Sequence, residues 1–187
     1  LDRTMKDQLI EQLRRILHTT GIPVIYVTHD QEEAFGIADR LILLHDGLIV
    51  QQGPPIQVYN RPENQWVARF LGLTNFLKGK LISANPLQVE TAWGIFTSSM
   101  PSCGAPAVGQ EITILLRPFG PRLTDKLDRE NILQGEVQDV VFRSHGYQVE
   151  MEFAEDGTHH FVLDTPMDKG SQAAIYIPPE AVLCMEG

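Results

Sequence analysis

Residue 29 is a histidine, and it ends the run Val24-Ile25-Tyr26-Val27-Thr28-His29-Asp30. The four apolar residues before Thr28 do not alternate with polar ones, which predicts a strand buried on both faces of a parallel sheet. Ligands of open α/β sheets sit beyond the carboxyl ends of the strands. His29 is therefore the first candidate for chemistry. Asp30 and Glu33 have capping-box spacing and predict a helix from Gln31 to about Ala38. On that reading Asp30 is a cap, and Glu32 and Glu33 are first-turn charges favoured by the helix dipole. Asp2 is an N-cap candidate for the first helix. His159 and His160 are adjacent on a predicted strand and point to opposite faces, so no metal site is expected there. Cys103 and Cys184 have neither CxxC nor metal-ligand spacing and are expected to be free thiols of a cytoplasmic protein.

Around these residues the elements read in order. Met5, Leu9, Leu13, Ile16 and Leu17 recur at helical spacing and make one apolar stripe. Gly21 and Pro23 end that helix. Helix, strand and helix then form part of a βα layer. The runs Arg40–His45 and Leu48–Gly53 flank Asp46-Gly47, a strong hairpin signal. Pro54-Pro55 opens a short helix over Ile56–Tyr59. A further helix is predicted from Asn64 to Leu71, with Trp66, Val67, Phe70 and Leu71 on its apolar face. From Leu73 the period changes to short strands: Gly79–Ile82, Leu87–Thr91, Gly94–Thr97, Glu111–Leu116, Leu133–Phe142, Tyr147–Phe153, His159–Leu163 and Ala173–Ile177. Strands at this spacing predict a small sandwich or barrel, with the boundary near Gly72–Lys78. Ser98–Val108 reads as a flexible loop. Trp66, Phe70 and Trp93 read as packing residues.

Composition narrows the function classes. The 187 residues are 43% hydrophobic and 21% charged, as in ordinary globular proteins. No apolar run reaches the roughly 18 residues of a membrane span, and no signal-peptide pattern occurs. The net charge is -9. Residues 1–72 hold 7 basic and 9 acidic side chains, and residues 73–187 hold 8 and 15. An acidic second half speaks against a nucleic-acid partner, which needs a basic face.

Several stretches together resemble a known family. Leu1-Asp2, the Thr28-His29-Asp30-Gln31-Glu32-Glu33-Ala34 run, Ala38-Asp39-Arg40 and the Asp46-Gly47 hairpin look like the C-terminal part of an ATP-binding cassette (ABC) subunit. Gly53-Pro54-Pro55, Tyr59, Arg61-Pro62 and Val67-Ala68-Arg69-Phe70-Leu71-Gly72-Leu73-Thr74-Asn75 extend the match. They resemble the importer subfamily serving maltose, polyamines, iron(III) or sulfate. Beyond residue 75, Arg117-Pro118, Gly135-Glu136-Val137 and Gly146-Tyr147 carry it; Phe119 stands where the family often has an acidic residue.

The resemblance implies an α/β plus all-β chain. Residues 1–75 would be the C-terminal piece of a nucleotide-binding domain and residues 76–187 an OB-like (TOBE) regulatory domain. It implies that His29 is the switch histidine, both catalytic and nucleotide-binding, contacting the γ-phosphate and helping to hold the attacking water. An imidazole suits this, since phosphoryl transfer depends mainly on positioning and charge stabilisation. It implies that Asp2 faces the dimer and couples the two nucleotide sites. It further implies ATP and Mg²⁺ in the intact subunit, a homodimer, and a membrane permease partner. The location would be cytoplasmic, peripheral at the inner face of the cell membrane, without direct insertion.

The 187 residues contain no G-x-x-x-x-G-K-[ST] loop. They are expected to begin just past the family's Mg²⁺-site strand, and alone neither to bind ATP tightly nor to hydrolyse it. Val24–Val27, without sheet neighbours, is expected to pair with a second chain or to be partly disordered. Two other readings remain: a regulatory β-barrel that senses a small ligand or oxyanion, and a dimerisation module with no ligand.

Overall fold

The structure, a computed structural model, describes residues 3–99, 106–153 and 157–185, the side chains of Arg3 and Thr4 excepted. Most of the predicted loop at 98–108 lies outside these residues, as do Asp2 and Cys103; Ser98 belongs to a strand. The chain divides into two compact units, Leu1–Leu71 and Gly72–Gly187.

The first unit holds α1 (Arg3–Thr20), α2 (Gln31–Ile37), a hairpin of β1 (Leu41–His45) and β2 (Leu48–Gly53), α3 (Pro55–Asn60) and α4 (Gln65–Phe70). Asp46 and Gly47 both have positive φ, 48° and 78°, which lets a two-residue turn follow the strand twist and sets His45 opposite Leu48. His45 stacks on Trp66 at 4.2 Å, and Trp66 on Phe70 at 5.4 Å. The helix at 64–71 begins as its sequence predicts, with Asn64 capping Val67 N–H at 2.9 Å.

One expectation is corrected here. Val24–Val27 is not a strand: it carries no ladder, and Ile25 and Val27 are 94% and 88% exposed. Its composition encodes a buried strand, but no neighbouring strand lies among the described residues to accept its backbone groups. The apolar stripe of α1 is likewise half uncovered, with Met5, Leu9 and Ile16 exposed. The helix meets α2 through Ile10 instead: a Cβ on Gly36 would lie 2.6 Å from Ile10 Cγ2.

The second unit is all β. In order it contains β3 (Phe76–Ala84), β4 (Leu87–Thr91), β5 (Gly94–Ser98), β6 (Glu111–Leu116), β7 (Arg122–Leu123), β8 (Ile132–Arg143), β9 (Gly146–Phe153), β10 (Gly157–Leu163), β11 (Gln172–Tyr176), a 3-10 turn at Pro179–Ala181 and β12 (Val182–Met185). Two antiparallel five-stranded sheets, β12-β6-β3-β4-β5 and β10-β9-β8-β11-β7, enclose one apolar core. Leu77, Leu81, Val89, Phe96, Ile114, Leu133, Met151 and Phe161 are fully buried in it. This is the OB-like β architecture expected. The eight predicted strands are present with small shifts in their ends; β7 and β12 are additional.

The sheets show a feature the sequence reading missed: the unit is an internal repeat. Asn75-Phe76-Leu77-Lys78-Gly79 matches Asn131-Ile132-Leu133-Gln134-Gly135. Gly79 pairs with Ile112 as Gly135 pairs with Ala173. Both leading strands shift register at the corresponding place, Leu81/Ser83 and Val137/Asp139. A Cβ on Gly79 would meet the Glu90 carbonyl at 2.6 Å, and one on Gly135 the Glu152 carbonyl at 2.7 Å.

The halves are interlocked. β7 follows the first half but pairs with β11 of the second, and β12 follows the second half but pairs with β6 of the first. An asparagine opens each half and clamps the other. Asn75 Nδ2 donates to the His160 carbonyl (2.7 Å), and the His160 N–H donates to Asn75 Oδ1 (2.9 Å). Asn131 does the same with Thr97, donating at 2.8 Å and accepting at 2.6 Å. Each clamp satisfies backbone groups on a strand at the sheet edge.

Candidate functional site

The Thr28-His29-Asp30 tip is built almost wholly from local hydrogen bonds. Thr28 Oγ1 accepts from the Asp30 N–H at 3.0 Å, and its hydroxyl donates to Glu33 Oε2 at 2.8 Å. The Tyr26 hydroxyl donates to the same oxygen at 3.0 Å. Asp30 Oδ1 accepts from the Glu33 N–H at 3.0 Å, the N-cap bond that starts α2. Lys6 of α1 donates to Asp30 Oδ2 and lies 3.6 Å from Glu33 Oε1. Asp30 is thus the cap that its sequence position predicts. The Glu33 side chain turns to Thr28 and Tyr26 rather than back to the cap.

Charge follows this geometry. The hydrogen bond from Lys6, with the Glu33 backbone N–H, holds the Asp30 carboxyl below its ordinary range. Donation from Thr28 and Tyr26 lowers Glu33 in the same way. The bond to Asp30 raises Lys6, and the bond to Glu33 raises the Tyr26 hydroxyl.

His29 is the side chain this network leaves over. It is exposed, and among the described residues its ring has no hydrogen-bond partner. The residues on either side of it are fixed, so the imidazole projects from a locked turn with its polar atoms available to a ligand. The structure brings together Lys6, Tyr26, Thr28, Asp30 and Glu33. Lys6 was not legible in the sequence, because nothing local links a lysine in α1 to a cap 24 residues later. Asp2 lies outside the described residues.

In the second unit His159 and His160 fall on opposite faces of β10, as their adjacency predicts. His159 is 3% exposed, edge-on to Phe153 at 5.3 Å, and occupies the position that Phe96 fills in the first half. Trp93 packs against the same Phe153 ring at 5.4 Å. Cys184 is buried in β12.

No protein-family model matches the chain. Among curated proteins it is 32% identical over 185 residues to the spermidine/putrescine import ATP-binding protein PotA of Rubrobacter xylanophilus, covering 97% of this chain and 48% of the relative. It is 32% identical to PotA of Desulfitobacterium hafniense over 187 residues, 100% of this chain and 51% of the relative. It is 38% identical to the Fe(3+) ions import ATP-binding protein FbpC of Streptomyces avermitilis over 125 residues, 67% of this chain and 34% of the relative. A solved structure of the cytoplasmic molybdate-binding protein ModG with molybdate bound aligns at TM-score 0.48 and 13% identity, over 60% of this chain and 96% of that one.

Its homologues are ABC importer ATP-binding subunits, PotA and FbpC among them, and it matches their C-terminal region. It spans about half the length of the curated PotA relatives it matches.

Proposed function

We propose that this chain is the C-terminal part of a transport ATPase subunit that drives solute uptake through a membrane permease. The observation that carries the reading is the match to import ATP-binding proteins over 97% of the chain, with His29 presented from a rigid turn. In the intact subunit MgATP would supply the transferable γ-phosphoryl group. The residues here fit one contact to it: the His29 ring, with no competing partner, donates to a γ-phosphate oxygen and helps hold the attacking water. Asp30 and Glu33 are already engaged by Lys6, Thr28 and Tyr26, so they hold the turn rather than Mg²⁺. Asp2 acts across the dimer interface, the subunit works as a homodimer, and it sits at the cytoplasmic face of the membrane through its permease. No described helix is long and apolar enough to cross a membrane. The 187 residues by themselves neither bind ATP tightly nor hydrolyse it.

Two measurements test this. In the parent subunit, His29→Ala lowers kcat for ATP hydrolysis by about a hundredfold or more while ATP binding changes little; unchanged turnover refutes the role. Calorimetric titration of the 187-residue chain shows no submicromolar ATP affinity; such affinity would refute the division of labour.

A further inference from the structure

The repeat in the second unit lets one half serve as a control for the other. A cavity of about 410 Å³, within the range of small-molecule sites, is lined by Thr97, Arg129, Glu130, Asn131, Tyr176 and Pro179. It lies at the Asn131 clamp. The matching positions around the Asn75 clamp are His160, Leu73, Thr74, Asn75, Leu115 and Pro118. The correspondence follows from the hydrogen bonds: Leu116 N–H donates to the Asn75 carbonyl and Ile177 N–H to the Asn131 carbonyl, both at 2.8 Å. Val162 N–H donates to the Pro118 carbonyl at 2.8 Å, and Ser99 N–H to the Pro179 carbonyl at 3.1 Å. Leu73 and Leu115 are buried and apolar. The fold is therefore satisfied at this place by Leu, Thr and Leu. Arg129, Glu130 and Tyr176 in the second half are not demanded by it.

Their arrangement has two poles. Glu130 is exposed, yet its carboxylate is pinned: Oε1 accepts from Gln88 Nε2 at 3.0 Å and Oε2 accepts from the Thr97 hydroxyl. Both donors are neutral, and among the described residues no cation pairs with it. Arg129 and the Tyr176 hydroxyl have no partner among the described residues either. Fixing a long side chain costs rotamer entropy, and no ion pair among the described residues offsets it.

We propose that this cavity is a binding site for a small zwitterion. A ligand ammonium group meets Glu130 beside the Tyr176 ring, where cation–π attraction adds to the ion pair, and a ligand carboxylate meets Arg129 in the fork geometry that guanidinium favours. The site is independent of the ATPase reading above.

The test is calorimetric titration and thermal denaturation of the whole chain with 4-aminobutyrate, L-proline and glycine betaine as zwitterions. Putrescine, a dication, and succinate, a dianion, serve as controls that carry charge of one sign only. The expected result is a dissociation constant below about 10 mM for at least one zwitterion, and about tenfold or greater weakening by Glu130→Gln and by Arg129→Ala. Thr74→Ala, at the matching position of the other half, leaves it unchanged. Arg129 has no partner to lose, so its variant keeps the test decisive if Glu130→Gln folds poorly. Absence of binding by every zwitterion, binding indifferent to both substitutions, or equal binding of putrescine or succinate would each overturn the proposal.

Discussion

Asn75 and His160 exchange two hydrogen bonds, the side-chain amide of one closing on the backbone N–H and carbonyl of the other at 2.9 and 2.7 Å. Asn75 is 2% exposed, so neither half of the exchange is easily replaced by water. Asn75→Ala should lower stability by about 2–4 kcal/mol, because it strands a donor and an acceptor on β10. Asn131→Ala should cost at least as much, since Asn131 also holds φ at 61°, a conformation alanine resists. Urea unfolding of the chain measures both; a midpoint shift below that of a typical surface substitution would refute the clamp.

The two repeat glycines form a matched pair. Gly79→Ala and Gly135→Ala each drive a Cβ to 2.6–2.7 Å from a carbonyl on the adjacent strand, where only backbone movement relieves the clash. Each should destabilise the second unit by about 2 kcal/mol or more, and the two losses should be similar. Thermal denaturation read by circular dichroism checks this, and a neutral effect at either position would break the equivalence of the halves.

Gly36→Ala sets two effects against each other. Alanine favours the helix by about 1 kcal/mol, but its Cβ would lie 2.6 Å from Ile10 Cγ2, on a side chain stiff at χ1. The clash should win and separate α1 from α2. Hydrogen exchange at the α2 amides is then faster in Gly36→Ala and recovers in the Ile10→Ala, Gly36→Ala double variant.

Acid should loosen the Thr28-His29-Asp30 turn. Asp30 and Glu33 have folded pKa values depressed below their unfolded ones. Their contribution is therefore present above the unfolded values, near pH 4, and is lost as pH falls through the depressed ones. Lys6 and Tyr26 are shifted the opposite way, so their contributions persist until pH rises beyond about 10. Amide exchange at Glu33 followed from pH 6 to pH 2 should show protection falling at the acid end. Lys6→Met should move that fall to higher pH, because it removes the largest cause of the Asp30 shift.

Much of this architecture is legible in the sequence where local chemistry decides it. Asp46-Gly47 specifies its own turn, Asp30 and Asn64 start their helices, and alternation in Leu87–Thr91 and Glu111–Leu116 gives those strands to the residue. What escapes reading is settled by partners far along the chain. Arg122–Leu123 is too short and too exposed to show a period, and is a strand only because β11 accepts it. Val24–Val27 fails in the other direction, since its strand-like composition needs neighbours before it becomes a strand. The candidate site divides in the same way. His29 stands out at the end of an apolar run, whereas Arg129 and Glu130 look like an ordinary polar loop until the repeat shows what the other half has in their place.

The exchange of β7 and β12 between the halves also has a consequence for biogenesis. The sheet that begins at Phe76 is finished by residues made about a hundred codons later. Until β12 leaves the ribosome, β6 presents a bare apolar edge to whatever is nearby. Neither half can mature ahead of the other, so this unit should form late, all at once, and with a strong dependence on chaperones during synthesis.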